Sequence, residues 1–221
     1  MESFDQFAQE YKTILDESLK VGGETGDYFF QYKTLYIDRC VGKDFSGRIL
    51  DYGCGIGLLS GFLVKHFPKA RIDGFDVSIE SVNLVPAELK EQGLFASDID
   101  SLQAGYDLIV VANVLHHIEP TDRAGVFAQL KKLLAPKGKI IIFEHNPLNP
   151  LTRKVVRESP LDRGVVLLPS RETVSYIQSQ GLQKRLDYIV FFPKFLSALR
   201  WTEPLLRWCP LGAQYVIIGR A

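Results

Sequence analysis

The sequence predicts an α/β fold, a doubly wound, mostly parallel seven-stranded sheet preceded by an N-terminal helical arm. Three observations carry this expectation. Strand-like apolar runs alternate with helical stretches from residue 48 to residue 145, and repeated units of this kind build a parallel sheet covered on both faces, with right-handed connections. Ile109-Val110-Val111 and Ile140-Ile141-Ile142-Phe143 are continuous apolar runs, as central strands buried on both sides require. The first unit, Arg48-Ile49-Leu50-Asp51-Tyr52-Gly53-Cys54-Gly55-Ile56-Gly57, passes from a strand through three alternate glycines into a helix starting at Leu58.

Taken in order, Phe4, Phe7, Tyr11, Ile14, Leu15 and Leu19 follow a helical spacing that Gly22-Gly23 ends, and an aromatic-rich helix follows from Tyr28 to Val41. Strands are expected at 48–52, 71–75, 94–97, 107–112 and 139–144, with helices at 57–67, 78–84 and 123–134. Pro86 shortens the second of these helices, and Pro136-Lys137-Gly138 reads as a turn into the fifth strand. Residues 146–170 hold four prolines and show no clear period. A helix at 171–180 stopped by Gly181, a strand at 186–192, an amphipathic piece from Phe195 to Trp208 and a strand at 214–219 complete the chain. The expectation is one domain over 1–221: a helical arm (1–45), a cofactor-binding core (46–145), and substrate-side insertions with the last strands (146–221). Phe195–Trp208 is read as a lid or as core, with a membrane-surface role as the alternative.

Composition narrows the function classes. Lys plus Arg and Asp plus Glu both total 26, so the formal net charge is zero, which argues against a nucleic-acid binder working through bulk charge. The three cysteines (Cys40, Cys54, Cys209) are far apart and lack metal-type spacing, so reduced thiols in a cytoplasmic protein, and no metal site, are expected. The acidic start Met1-Glu2-Ser3-Phe4-Asp5 lacks the apolar run of a signal peptide. No apolar run reaches the roughly 18 residues of a membrane span.

The glycine turn brings backbone N–H groups and a helix N-terminus up to a ligand. Its pattern is G-x-G-x-G, with Leu58 next, whereas a dinucleotide-binding turn has G-x-G-x-x-G. Asp76, 19 residues past Gly57, offers two carboxylate oxygens to the hydroxyls of a ribose. Asp51 would repel a pyrophosphate beside the turn and suits a cation. A positively charged, phosphate-free nucleoside fits both acids, and S-adenosylmethionine is such a molecule.

These residues resemble the first motif of the class I S-adenosylmethionine-dependent methyltransferases. Phe75-Asp76-Val77-Ser78, Ser97-Asp98-Ile99, Tyr106–Ile118 (ending Ala112-Asn113-Val114-Leu115-His116-His117-Ile118) and Leu133–Lys139 resemble the family's later motifs, in order. The fourth-strand motif is similar to that of the small-molecule branch. The resemblance implies that Asp51 and the backbone of Gly53 and Gly55, with Cys54 between them, surround the methionine part of the cofactor. It implies that Asp76 holds the ribose, Val77 and Ile99 flank the adenine, Asp98 accepts from its amine, and Ala112 and Asn113 line the site near the sulfonium. Asp100 is a rival for Asp98.

Methyl transfer from a sulfonium is a direct displacement, so alignment supplies much of the rate, and a base is needed only where the nucleophile must lose a proton. His145 is the first candidate for substrate contact, His116 the second, and His117 reads as structural. The N/D-P-P-Y/F tetrapeptide of amino methylation is absent after Asn113, which favours a small-molecule acceptor (a metabolite, sugar or lipid intermediate) over DNA. Two other readings are a nicotinamide-dependent oxidoreductase, opposed by Leu58 and Asp51, and a non-catalytic partner subunit, opposed by the intact acids. Oligomeric state is not legible.

Overall fold

The computed structural model describes residues 11–19 and 23–221. Phe4, Phe7 and Gly22, used above to place the first helix, lie outside the described residues. Helices α1 (Tyr11–Leu19) and α2 (Gly26–Val41) precede the sheet. The strands are β1 (Arg48–Tyr52), β2 (Arg71–Phe75), β3 (Phe95–Ala96), β4 (Tyr106–Ala112), β5 (Leu134–His145), β6 (Gln183–Ile189) and β7 (Gln214–Arg220). Between them run α3 (Leu58–His66), α4 (Ile79–Asn83), α5 (Ala87–Lys90), α6 (Arg123–Leu133), α7 (Pro150–Glu158) and α8 (Ser170–Ser179).

The seven strands form one mixed sheet in the order β3-β2-β1-β4-β5-β7-β6. β1 pairs in parallel with β2 and β4, β4 with β5, and β7 runs antiparallel to both β5 and β6. The chain winds outward from β1 to β3, then returns to β1's other side with β4. That reversal opens a crevice at the carboxyl ends of β1 and β4, where open α/β sheets bind ligands.

Side-chain alternation explains the apolar runs. In β4, Ile109 and Val111 enter one core with Phe127 and Leu130 of α6 and Ile177 of α8. Leu108 and Val110 enter the opposite core with Tyr36 and Ile37 of α2 and Leu59 and Leu63 of α3. Ile140 and Ile142 of β5 likewise oppose Ile141 and Phe143. Successive strand residues point to opposite faces, so a strand covered on both sides must be apolar throughout.

The structure departs from the sequence reading in four places. Pro136-Lys137-Gly138 is not a turn: β5 begins at Leu134, and its pairing with β4 jumps from Tyr106↔Leu134 to Leu108↔Lys139. Pro136 has no N–H for the ladder, so the extra residues bulge within extended chain. Residues expected to lack a period contain α7, where Asn149 accepts a hydrogen bond from the Thr152 N–H at 3.0 Å and Pro150 opens the first turn. The strand expected at 186–192 is β6, three residues earlier in the chain at both ends. Finally, Phe195–Trp208 is not core. Lys194–Leu205 forms a kinked 3₁₀ run in which Phe195 is 81% exposed and Trp201 77%, and Trp208 beyond it is also 77% exposed. Among the described residues, no helix is long and apolar enough to cross a membrane.

Candidate active site

β1 ends in the glycine turn, and Gly53, Gly55 and Gly57 all have positive φ (78°, 54° and 81°), a conformation glycine adopts without steric cost. Gly53 and Cys54 donate their N–H groups to the Phe75 carbonyl at 2.7 and 2.9 Å, which locks the turn onto the end of β2. A Cβ added at Gly55 would meet nothing within 4 Å among the described residues. The turn is thus open on one side, as a cradle for a ligand must be. Asp76 lies across this opening, with one carboxylate oxygen accepting from Gly55 N–H at 2.8 Å and the other from Ser78 N–H at 2.9 Å. Both bonds orient the carboxylate while leaving further lone pairs for hydroxyl donors.

Asp51 is buried in β1 and accepts a hydrogen bond from the Ser60 hydroxyl at 2.7 Å. Burial raises its carboxyl to about 6, helped by Asp76 and opposed by Ser60 and Lys33. A buried carboxylate held at that level is stabilised by any cation that arrives beside it. Burial pushes the Cys54 thiol up, so it packs as a thiol. Val77 is 78% exposed, an apolar side chain left open beside Asp76. Asp98 caps the short 3₁₀ turn Ile99–Ser101 by accepting from Asp100 N–H at 3.0 Å, and Ile99 packs on the core.

Asn113 follows β4 with φ 60°, a left-handed conformation that asparagine adopts more readily than other non-glycine residues. Its Oδ1 accepts from Lys33 Nζ of α2. An ammonium has no acceptor, so this bond fixes the amide orientation and leaves Nδ2, buried and without a partner among the described residues, as an unspent donor. Burial lowers Lys33 to about 8 despite the nearby Glu144 and Asp51 carboxylates.

On the far side of Asn113 lies a cavity of about 190 Å³. Lys33, Asn113, His116, His117, His145, Asp162 and Gln214 supply much of its polar lining, and Ala112, Phe29, Phe30, Leu151, Val155, Leu161, Phe191 and Phe192 much of its apolar wall. Gln214 Oε1 is also buried and has no partner among the described residues. The three histidines form one cluster: the His116 ring centroid is 4.1 Å from that of His117 and 5.0 Å from that of His145.

His116 is buried between two carboxylates, with Nδ1 2.6 Å from Glu144 and Nε2 3.3 Å from Asp162. Burial disfavours its charge, but Glu144 and Asp162 outweigh that and raise it above the usual histidine range. Glu144, which also accepts from the Val114 and Leu115 N–H groups at 3.0 and 2.7 Å, is held low by His116 despite burial. Both nitrogens of His116 are engaged, so it orients its neighbours. His117 Nε2 lies 3.5 Å from Asp162, and burial and the His116 charge push it down to about 3. The same two causes lower His145 to about 4. His145 faces the cavity as a neutral imidazole with no hydrogen-bond partner among the described residues. His116, His117 and Asp162 have their ligand-type atoms within 4.8 Å of one another, and a doubly protonated His116 between the two carboxylates satisfies that grouping internally.

The structure therefore gathers Asp51, Gly53, Cys54, Gly55, Asp76 and Val77 around the glycine turn. It places Ala112 and Asn113 at the junction with the cavity, and His116 and His145 inside it. Asp98 and Ile99 stand on the separate turn after β3. Sequence reasoning missed Lys33, Asp162 and Gln214. The Lys33 signal was available, since it occupies an inward helical position between Phe29, Phe30, Tyr36 and Ile37.

Comparison with known proteins follows the same outline. A family model described as a methyltransferase domain matches residues 27–189. The ribosomal RNA small subunit methyltransferase C of an Enterobacter species is 40% identical over 75 residues, 32% of this chain and 22% of that protein. The chain spans a quarter or less of the length of the curated relatives it matches. Among solved structures, magnesium protoporphyrin IX methyltransferase from Synechocystis with bound S-adenosylhomocysteine superposes with a TM-score of 0.68 at 16% identity, covering 98% of this chain and 95% of that one. An S-adenosylmethionine-dependent methyltransferase from Archaeoglobus fulgidus gives 0.66 at 13% identity, covering 87% and 94%.

Proposed function

Because this chain belongs to the methyltransferase-domain family, we propose that it is an S-adenosylmethionine-dependent methyltransferase whose acceptor is a small molecule, or one small end of a larger one, held in the His145 cavity. The carrying observation is that Ala112 and Asn113 line the cavity directly after Val111, which pairs with Tyr52 at the end of β1, so the cavity adjoins the strand end from which the glycine turn leaves. At about 190 Å³ the cavity falls below the roughly 300–1,000 Å³ of typical ligand pockets, which suits a compact acceptor group. The 75-residue match to ribosomal RNA methyltransferases covers too little of those proteins to carry their substrate over.

The cofactor supplies a methyl group already activated on a sulfonium. Asp51 is assigned to its cationic end, the backbone of Gly53 to Gly55 to its approach, and Asp76 to its ribose. Val77 and Ile99 are assigned to the adenine faces, and Asp98 to the adenine amine. The aromatic and aliphatic wall of the cavity excludes water from the acceptor. The unpartnered Asn113 Nδ2 and Gln214 Oε1 orient it through its polar atoms, because a buried donor and acceptor left unmade each disfavour an empty or mismatched pocket. His145, neutral above pH of about 4, accepts the proton that a hydroxyl nucleophile sheds as the new bond forms. A weak base is sufficient there, since the oxonium formed on methylating a hydroxyl is itself strongly acidic. His116 and Glu144 hold His145 and the residues after β4 in place.

Calorimetry with S-adenosylmethionine, S-adenosylhomocysteine and NAD on wild type and Asp76→Ala tests the donor half: the first two should bind and weaken in the variant. For the acceptor half, His145→Ala should lower turnover of an acceptor found by metabolite screening and leave cofactor affinity within about threefold. Loss of cofactor binding in that variant would move His145 out of the acceptor role.

A further inference from the structure

The run from Phe195 to Leu211 has its amphipathicity turned outward. Phe195 (81%), Trp201 (77%), Leu205 (70%), Trp208 (77%) and Leu211 (61%) are exposed, while Arg200, Glu203 and the Arg207 carbonyl of the same run bond to the rest of the protein. Buried Glu203 accepts from the Phe191 and Phe192 N–H groups at 3.0 and 3.2 Å. Arg200 donates to the Phe192 carbonyl at 3.1 and 3.0 Å and pairs with Glu24. The Arg207 carbonyl accepts from Tyr188 N–H at 2.8 Å. These bonds pin the segment, so its bare aromatics are a built surface. Water selects the opposite arrangement, and five such side chains form more apolar exposure than scattered surface residues account for.

We propose that this face docks on an anionic lipid bilayer. The residue types favour a bilayer over a protein partner or a second copy of this chain. Trp and Phe suit the boundary between headgroups and acyl chains. Cations flank the apolar run: Lys194 immediately before it, and Arg153, Lys154 and Arg157 exposed along α7. The loop before α7 is tied to the run, with Asn146 donating to the Pro210 and Gly212 carbonyls at 2.9 and 2.7 Å and Asn149 to that of Leu211 at 2.7 Å. Leu148, 60% exposed, extends the surface on that loop. Juxtaposed basic and aromatic groups are attracted to negatively charged headgroups and lose that attraction as salt rises. The cavity lies beside this face, since its lining residues Leu151 and Phe192-Pro193 border exposed Leu148 and Phe195 in the chain. Docking would thus bring the cavity to the lipid boundary.

The chain holds only two tryptophans, Trp201 and Trp208, so emission excited selectively at tryptophan, away from the tyrosines, reads this face alone. Vesicles of phosphatidylglycerol and phosphatidylcholine should shift the emission to shorter wavelength and co-sediment with the protein. Pure phosphatidylcholine vesicles should bind at least about tenfold more weakly, and Arg153→Glu with Lys154→Glu should weaken binding to the anionic vesicles by a similar factor. Leu205→Asp, at an exposed position that should not disturb folding, should reduce co-sedimentation with circular dichroism unchanged. No shift with anionic vesicles, or equal binding to neutral ones, would overturn the proposal. A shift that grows with protein concentration without lipid, together with a dimer in sedimentation velocity, would assign the face to a second copy instead.

Discussion

Gly53 and Gly55 stand two residues apart in one turn, yet they should separate folding from binding. Both sit in the left-handed region, with φ of 78° and 54°, so an L-residue costs about 1–2 kcal/mol at either. Their surroundings differ. A Cβ at Gly53 would lie 2.3 Å from Cγ2 of Val114, whereas at Gly55 none of the described residues lies within 4 Å. Gly53→Ala therefore adds overpacking of about 1–3 kcal/mol, and Gly55→Ala adds none. At about 2–4 °C per kcal/mol for a chain of this size, Gly55→Ala should lower the apo Tm by about 2–8 °C and Gly53→Ala by about 4–20 °C. The methyl of Gly55→Ala would occupy the open side of the turn and should weaken S-adenosylmethionine at least about tenfold, or about 1.4 kcal/mol. Scanning fluorimetry without ligand gives the first quantity and calorimetry the second. Cofactor affinity of Gly55→Ala within about twofold of wild type would refute the cradle assignment, and equal Tm values would refute the steric account of Gly53.

Two further outcomes follow from buried charge. Asp51 is raised to about 6 by burial, so its ionised form, which attracts a cation, is complete above that pH and lost below it. S-adenosylmethionine affinity should be flat from about pH 7 upward and fall up to about tenfold per unit below pH 6, with Asp51→Asn giving a flatter calorimetric profile. Glu144→Gln replaces a carboxylate that serves Val114 N–H, Leu115 N–H and His116 at once. Breaking one partner of a buried pair costs about 3–5 kcal/mol, a Tm drop of about 6–20 °C. A change under about 1 kcal/mol in urea unfolding would mean that His116 is not charged against it.

Much of the sheet was legible because its constraints are local and periodic. Ile140 to Phe143 must be apolar when both faces are covered, and Gly53 and Gly55 must be glycine where the backbone turns at positive φ. Asp76 was found because its spacing from the turn follows from one strand–helix–strand unit. The errors arose where local pattern is silent about direction. The run 195–208 is apolar enough for a core, but hydrophobicity does not say which way Trp201 and Trp208 point, and Arg200 and Glu203 take the inward positions. α7 was hidden by prolines normally read as breakers, although Asn149-Pro150 is a capping pair when a helix follows. Asp162 meets His116 across 46 residues of sequence, and no spacing rule reaches that far.

The two halves of the site differ in what supports them. The proposed cofactor half rests on the ends of β1 and β2, whose parallel register runs unbroken from Arg48↔Arg71 to Tyr52↔Phe75. Any displacement there would propagate into a sheet buried on both faces, where even small volume changes are resisted. The proposed acceptor half is assembled mainly from α1, α2, α7, the 3₁₀ turn at Pro160–Asp162 and residues 190–193, which border the sheet without being strands of it. Substitutions at Leu15, Phe29, Leu151 or Phe192 can reshape that cavity at a cost confined to local contacts. Lys33 joins the halves: it reaches from α2 to Asn113 at the end of β4, close to the charges of both Asp51 and Glu144. A fixed donor site and an adaptable acceptor site can then share one wall, because the shared residue is held by the sheet on one side and by a single buried lysine on the other.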